Sequence, residues 1–135
     1  MTSVAEDRNE IAQLLYRYAN SIDRFSAGAE LDDWIATFTD DGVHEFAGVE
    51  HVGREELTVL AEQVRGIRHF ILNPEIDVDG DKATVRAVQM VYQGLKLGAI
   101  TWHDDDVVRT RDGWRFSRVR VARTVGGILD ADNLA

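Results

Sequence analysis

The chain contains no cysteine and a single proline, Pro74. Without thiols it can build no disulfide staple, no zinc–thiolate site and no cysteine nucleophile, and the composition fits a reducing, cytoplasmic compartment. Also missing is any apolar run of membrane-spanning length, and the opening "MTSVAEDRNE" lacks the charged-then-apolar pattern of a secretory leader. Positive charge is scarce: 15 Lys and Arg stand against 24 Asp and Glu, a net charge of −9. Nucleic acid is therefore not an expected partner, because a phosphate backbone is held by a basic face. The late basic run "VVRTRDGWRFSRVRVART" does not change this, since alternate residues of a strand point to opposite faces of a sheet. Repeats, low-complexity tracts and linker-like stretches are absent too, so residues 1–135 are read as one domain.

What is present is a change of period half-way along. From Glu6, the residues Ile11, Leu14, Leu15, Tyr18, Ala19 and Ile22 follow the spacing of a helix with one buried face. The pattern stops at "DRFSAGAE". A second short helix is expected to carry Leu31, Trp34, Ile35 and Phe38 on one face and to end at "TDDG". "GVHEFAGVEHVG" reads as a strand or hairpin, and "REELTVLAEQVRG" as a third helix closed by Gly66. The second half then alternates with the period of strands in "RHFILNPEIDV", "KATVRAVQMVYQ", "AITWHDDDVVRT" and "GWRFSRVRVAR", separated by the turn sequences "DGD", "GLKLG" and "RDG". Helices followed by consecutive strands predict an α+β fold in which a curved, mostly antiparallel sheet wraps around its helices and leaves a pocket at the mouth of the cone.

Two polar residues interrupt the apolar pattern. His69 falls among Ile67, Phe70, Ile71 and Leu72, and Asp23 lies at the edge of the buried stripe near the end of the first helix. Each alone is compatible with a plain structural role. Together they suggest a pair in which the carboxylate accepts from one imidazole nitrogen, fixes the tautomer and leaves the other nitrogen to act as a base. Ile67, His69, Ile71 and Asn73 share strand parity, and that face is expected to look into the cone. In "WHDDDVV", His103 and Asp105 fall on one strand face and Asp104 and Asp106 on the other, so no metal site is expected, and one of His103 and Asp104 is expected to line the pocket. Met90 and Tyr92 share a face that either lines the cavity or forms a subunit contact. His44 and His51 receive no role.

The order "LLYRYANSIDRF…WIATFTDDGV…GREEL…RHFILNPEIDVDGDKATVRA…DGWRFSRVR" resembles the SnoaL-like branch of the NTF2-like (cystatin-like) superfamily, over about residues 5 to 124. That branch includes scytalone dehydratase, lindane dehydrochlorinase, bile-acid 7α-dehydratase and polyketide cyclases. The resemblance implies an NTF2-like cone and an Asp–His dyad, with Asp23 and His69 on the two positions. By the same resemblance, Asn73 matches an Asn of the dehydrochlorinase. Tyr18 and Arg123 match a Tyr and an Arg of the bile-acid enzyme, where they would hydrogen-bond a substrate oxygen and steady negative charge. Phe46 stands where scytalone dehydratase carries a substrate-binding Tyr. Gln93 falls near that enzyme's second His, and Val91 near a further acidic residue of the bile-acid enzyme. The expected function is cofactor-independent acid–base catalysis by a lyase or isomerase of the dehydratase, isomerase or cyclase type. The substrate would be a hydrophobic small molecule held by Tyr18, Phe46, Asn73, Met90, His103 and Arg123, in a homodimer or homotrimer with no membrane partner. The alternative is a non-catalytic ligand-binding or assembly subunit, resembling the small subunit of a ring-hydroxylating oxygenase. A third reading, epoxide hydrolysis, would pair Asp104 with Arg118 or Arg120. The tail "GGILDADNLA" offers a segment that neighbouring copies could exchange.

Overall fold

The computed structural model describes residues 2–123; the tail that could exchange between copies lies outside the described residues. Helix α1 (Val4–Ser26) begins where the Ser3 hydroxyl accepts a hydrogen bond from the Glu6 N–H at 3.1 Å, with Glu6 and Asp7 placing negative charge in its first turn. The stripe Ile11, Leu14, Leu15, Tyr18, Ala19 and Ile22 is buried, and Phe25 extends it. Each large apolar side chain so removed from water contributes roughly 1.5–3 kcal/mol, which is why this helix is held against the sheet.

Helix α2 is only Asp32–Ile35, one turn, and Phe38 is not on it. The Thr37 hydroxyl and N–H both donate to the Trp34 carbonyl, at 2.7 and 3.1 Å, while the Thr37 carbonyl accepts from the Phe116 N–H at 2.8 Å. Those bonds hand the chain from helix to sheet, so "TDDG" lies inside strand β1 (Phe38–Phe46) and does not end a helix. Phe38 is buried in either arrangement, here against Trp34 with ring centroids 5.2 Å apart, so its hydrophobicity could not distinguish them.

Strand β1 turns through Ala47 and Gly48, both at positive φ, into β2 (Val49–Val52). Helix α3 (Gly53–Gln63) stops short of Gly66, whose φ of 85° serves the turn into β3 (Ile67–Asp79). Then come β4 (Lys82–Gln93), β5 (Lys96–Thr110) and β6 (Gly113–Arg123), joined at the three expected turns. The six strands form one sheet in the order β2-β1-β6-β5-β4-β3, antiparallel throughout except for β1 beside β6. The register of β1 against β6 shifts between Phe38 and Val43, where Gly42 is buried with no room for a side chain: an added Cβ would stand 2.8 Å from Phe38 Cβ.

The helices pack on the concave face of this sheet, giving the α+β cone. Ala83, Val85, Ala87 and Gln89 alternate along β4 as its buried positions. Near the start of α1, buried Asp7 accepts both guanidinium nitrogens of Arg109, at 3.0 and 2.9 Å, and the Trp114 indole N–H at 3.2 Å. These charge-assisted bonds tie α1 to β5 and β6 and hold the Asp7 carboxyl well below the usual carboxylate range. Among the described residues no helix is long and apolar enough to cross a membrane.

Candidate active site

Between the helices and the sheet lies a cavity of about 320 Å³. Its walls are largely apolar, with Ile22 from α1, Leu60 from α3, Val64 just beyond the end of that helix, and Ile67, Val91 and Val121 from the sheet. Polar groups reach it from Tyr18, His44, His69, Gln89 and Thr101. An apolar chamber with a few converging polar groups is the form that small-molecule sites take.

Asp23 and His69 meet at its edge. His69 Nδ1 is 2.9 Å from Asp23 Oδ1, with the two side chains only 10% and 12% exposed. The backbone N–H of His69 also donates to both carboxylate oxygens, at 3.0 and 3.1 Å, and Arg68 Nε reaches Oδ2 at 3.0 Å. Asp23 can be so placed because the last turn of α1 packs beside the first residues of β3. A carboxylate pinned by three groups accepts from Nδ1–H, which leaves Nε2 as the unprotonated nitrogen of a neutral ring. His69 lines the cavity, so that nitrogen is the one available to a bound molecule.

Two further rings face the same space. Tyr18 is buried at the junction of Trp34, Phe38, His103 and Phe116, with centroid separations between 5.5 and 6.1 Å. Burial pushes its phenol pKa far up, so the hydroxyl stays a proton donor. His44 sits on β1 at the cavity wall, 7% exposed, and its Nδ1 has no hydrogen-bond partner. Burial first, then the neighbouring histidines His103, His51 and His69, push its pKa down to about 3, so His44 is a neutral ring at physiological pH.

Of the other residues expected at the site, Phe46 lines the cavity. Asn73 does not: it is exposed, at φ 53°, where the β3–β4 register shifts between Leu72 and Glu75, so the alternation set by Ile67, His69 and Ile71 fails to reach it. Met90 is the register partner of Phe70 and, with Tyr92, lies on the outer face; the inward positions of β4 are Gln89 and Val91. His103 is inward but lies behind the lining, with Nε2 2.9 Å from Gln89 Oε1 and Nδ1 3.0 Å from Asp105 Oδ2. Asp105 is fully buried beside it, whereas Asp104 is exposed. Arg120 meets the side chain of Asp106, and Arg118 those of Glu45 and Glu50, so the Asp104–arginine pairing does not form. Arg123 ends β6 opposite Thr101, and its side chain lies outside the described residues. Sequence reasoning gave no part to His44, Gln89 or Thr101. The available signal was parity: Gln89 continues Ala83, Val85 and Ala87, a polar residue among inward apolar ones, as His69 is on β3. Among the described residues no three His, Asp or Glu side chains converge where an ion could be held.

Comparison with known families places this geometry. Residues 3–120 match the SnoaL-like domain. The chain belongs to the SnoaL-like family. Its relatives include the uncharacterized protein Rv2910c of Mycobacterium tuberculosis, 36% identical over 132 residues that span 87% of each chain. Among solved structures, a protein with a cystatin-like fold from Nostoc punctiforme superposes with a TM-score of 0.82 at 24% identity, covering 93% of this chain and 97% of the other. A scytalone dehydratase-like protein from Novosphingobium aromaticivorans gives a TM-score of 0.74 at 20% identity, covering 90% and 86%. The SnoaL-like chain thus has the NTF2-like, cystatin-like fold.

Proposed function

We propose that the cavity is the active site of a cofactor-independent acid–base enzyme of the dehydratase, isomerase or cyclase type, acting on a hydrophobic small molecule. The observation that carries this reading is the 2.9 Å Asp23–His69 contact at the edge of an apolar cavity. His69 Nε2 takes a proton from a carbon next to a carbonyl, and the C–H electron pair moves onto the carbonyl oxygen as an enolate. Asp23 stabilises the imidazolium so formed, and the Tyr18 hydroxyl steadies the enolate oxygen. In a dehydration the enolate then expels a β-hydroxyl, which leaves as water with the proton returned by His69. In an isomerisation the same proton goes back to a different carbon.

The test is turnover of a panel of β-hydroxy-ketones by the wild type, Asp23→Asn and His69→Ala, with folding checked by circular dichroism. Loss of about 10²–10⁴-fold on removing His69 is the expected result for a general base. Turnover that survives both substitutions would remove the pair from the mechanism, and a wild type that binds members of the panel but turns over none would favour the non-catalytic, ligand-binding reading. Self-association belongs to the same proposal: Phe70, Leu72 and Trp102 are 42%, 39% and 48% exposed and lie with Met90 and Tyr92 on the outer sheet face. A second copy, in a homodimer or homotrimer, would cover that apolar face.

A further inference from the structure

Behind the cavity wall lies a second imidazole–carboxylate pair that the proposed chemistry does not use. His103 and Asp105 are 1% and 0% exposed and occupy consecutive inward positions of β5. Asp105 Oδ2 is 3.0 Å from His103 Nδ1, and Asp105 Oδ1 accepts the Arg120 backbone N–H at 3.2 Å. On its other side, His103 Nε2 stands 2.9 Å from Gln89 Oε1. Gln89 is itself buried, lines the cavity, and donates its amide nitrogen to Thr101 Oγ1 at 3.3 Å.

The directions of these bonds can be worked out atom by atom. An amide oxygen only accepts, so His103 Nε2 must carry hydrogen. Nδ1 then either carries a second proton opposite an ionised Asp105, or accepts from a protonated Asp105 Oδ2 while Oδ1 keeps the Arg120 N–H. The two forms differ by one proton moved along a single hydrogen bond, and burial raises the Asp105 pKa in favour of the second. Both hold the Gln89 oxygen against His103, so both turn its NH₂ toward Thr101 and the cavity. One amide hydrogen is spent on the Thr101 hydroxyl, and the other is left for a bound molecule. The remaining arrangement, with the proton only on Nδ1, would need a donor at 2.9 Å from Nε2 and would reverse the amide.

We infer that Gln89 is a specificity-determining residue, a hydrogen-bond donor for a carbonyl oxygen, and that the buried Asp105–His103 pair acts as its positioning device. This rests on the proposed acid–base reading for its chemistry. Val91, the register partner of His69, is the next inward residue along β4 from Gln89, so donor and base are diagonal neighbours on adjacent strands, with backbones roughly 7–8 Å apart. That spacing suits a ketone whose oxygen takes the Gln89 N–H while its α-carbon faces His69. Tyr18, packed edge-on against His103 at 5.5 Å, lies on the same side of the cavity as Gln89 and supplies a second donor for the enolate oxygen. The substrate class is then a hydrophobic ketone, for the lining is largely apolar.

The first measurement needs no ligand. Nitrogen-15 NMR of the whole protein at neutral pH should show His103 Nε2 bearing hydrogen; an unprotonated Nε2 would overturn the orientation of the amide. The second uses 1-indanone as the probe, with indane as the control lacking oxygen. Indanone should bind with its carbonyl stretch lowered, and Gln89→Met should return the stretch toward its free value and weaken binding about tenfold, the worth of one hydrogen bond. Asp105→Asn should retain the lowered stretch, because its oxygen stays on the Arg120 N–H and its NH₂ donates to Nδ1. Asp105→Leu, which leaves His103 Nδ1 without its partner, should return the stretch toward its free value with the fold intact, and a stretch that stays lowered would overturn the positioning role. Failure of indanone to bind, or a stretch indifferent to Gln89→Met, overturns the inference even if Asp23 and His69 prove essential for turnover. A stretch that follows Gln89 while turnover survives loss of Asp23 and His69 leaves recognition standing and removes those two residues from the mechanism.

Discussion

Acid should destabilise this protein through His44, the buried histidine of the cavity wall. Its buried ring titrates at about 3, whereas an imidazole in the unfolded chain titrates near ~6.5. Between those values the unfolded state binds a proton that the folded state refuses, so stability falls as pH falls. The contribution is fully present above the unfolded value and is lost progressively on the way down to the folded one. At about 1.4 kcal/mol per pH unit, going from neutral pH to pH 5 should remove about 2 kcal/mol. With a urea dependence of roughly 1.5–2 kcal/mol per molar, the unfolding midpoint should drop by about 1 M. The measurement is urea unfolding at pH 7.5 and pH 5.0 for the wild type and for His44→Leu. Leucine suits the apolar wall, cannot titrate and removes the unpartnered Nδ1, so at pH 7.5 the variant should be at least as stable as the wild type. The two proteins should then diverge toward pH 5 by about 2 kcal/mol in favour of the variant. Parallel losses, with a difference under about 0.5 kcal/mol, would show that His44 is protonated in the folded protein and refute the reasoning.

Two further predictions follow from packing. Gly42→Ala drives a Cβ to 2.8 Å from Phe38 Cβ inside the β1 irregularity and should cost about 1–3 kcal/mol, read as a lowered thermal midpoint; no change would mean that β1 relaxes freely there. Met90→Glu places a charge in the middle of the apolar outer face and should convert a sedimenting dimer or trimer to monomer without altering the far-ultraviolet spectrum. A wild type that sediments as a monomer would remove that assembly proposal.

Much of the site was legible in the order of residues, because helix and strand periods are local properties. The α1 stripe, the three hairpin turns of the second half and the anomaly of His69 among Ile67, Phe70 and Ile71 all follow from which side chains repeat every 3.6 or every second position. Asp23 was legible as a polar residue at the edge of that stripe. Parity says which residues share a face, but not which face is inward, and it stops at a bulge. That is why parity alone admits Met90 to the pocket, where the structure has Gln89, and why it extends the face of His69 to Asn73, beyond the irregularity after Leu72. Phe38 shows the same limit at the other end of the chain, since an aromatic side chain is buried equally well by a helix or by a strand.

The sequence by itself determined the α+β architecture, the family resemblance and a carboxylate and an imidazole worth pairing. Only the tertiary structure decided that Asp23 Oδ1 and His69 Nδ1 stand 2.9 Å apart, that His44 faces the cavity, and that Asp105, His103 and Gln89 form one buried chain of hydrogen bonds. The physical reason is that a hydrogen bond across 46 residues depends on strand register, helix docking and bulge placement together, and none of these is a property of any short stretch of the chain.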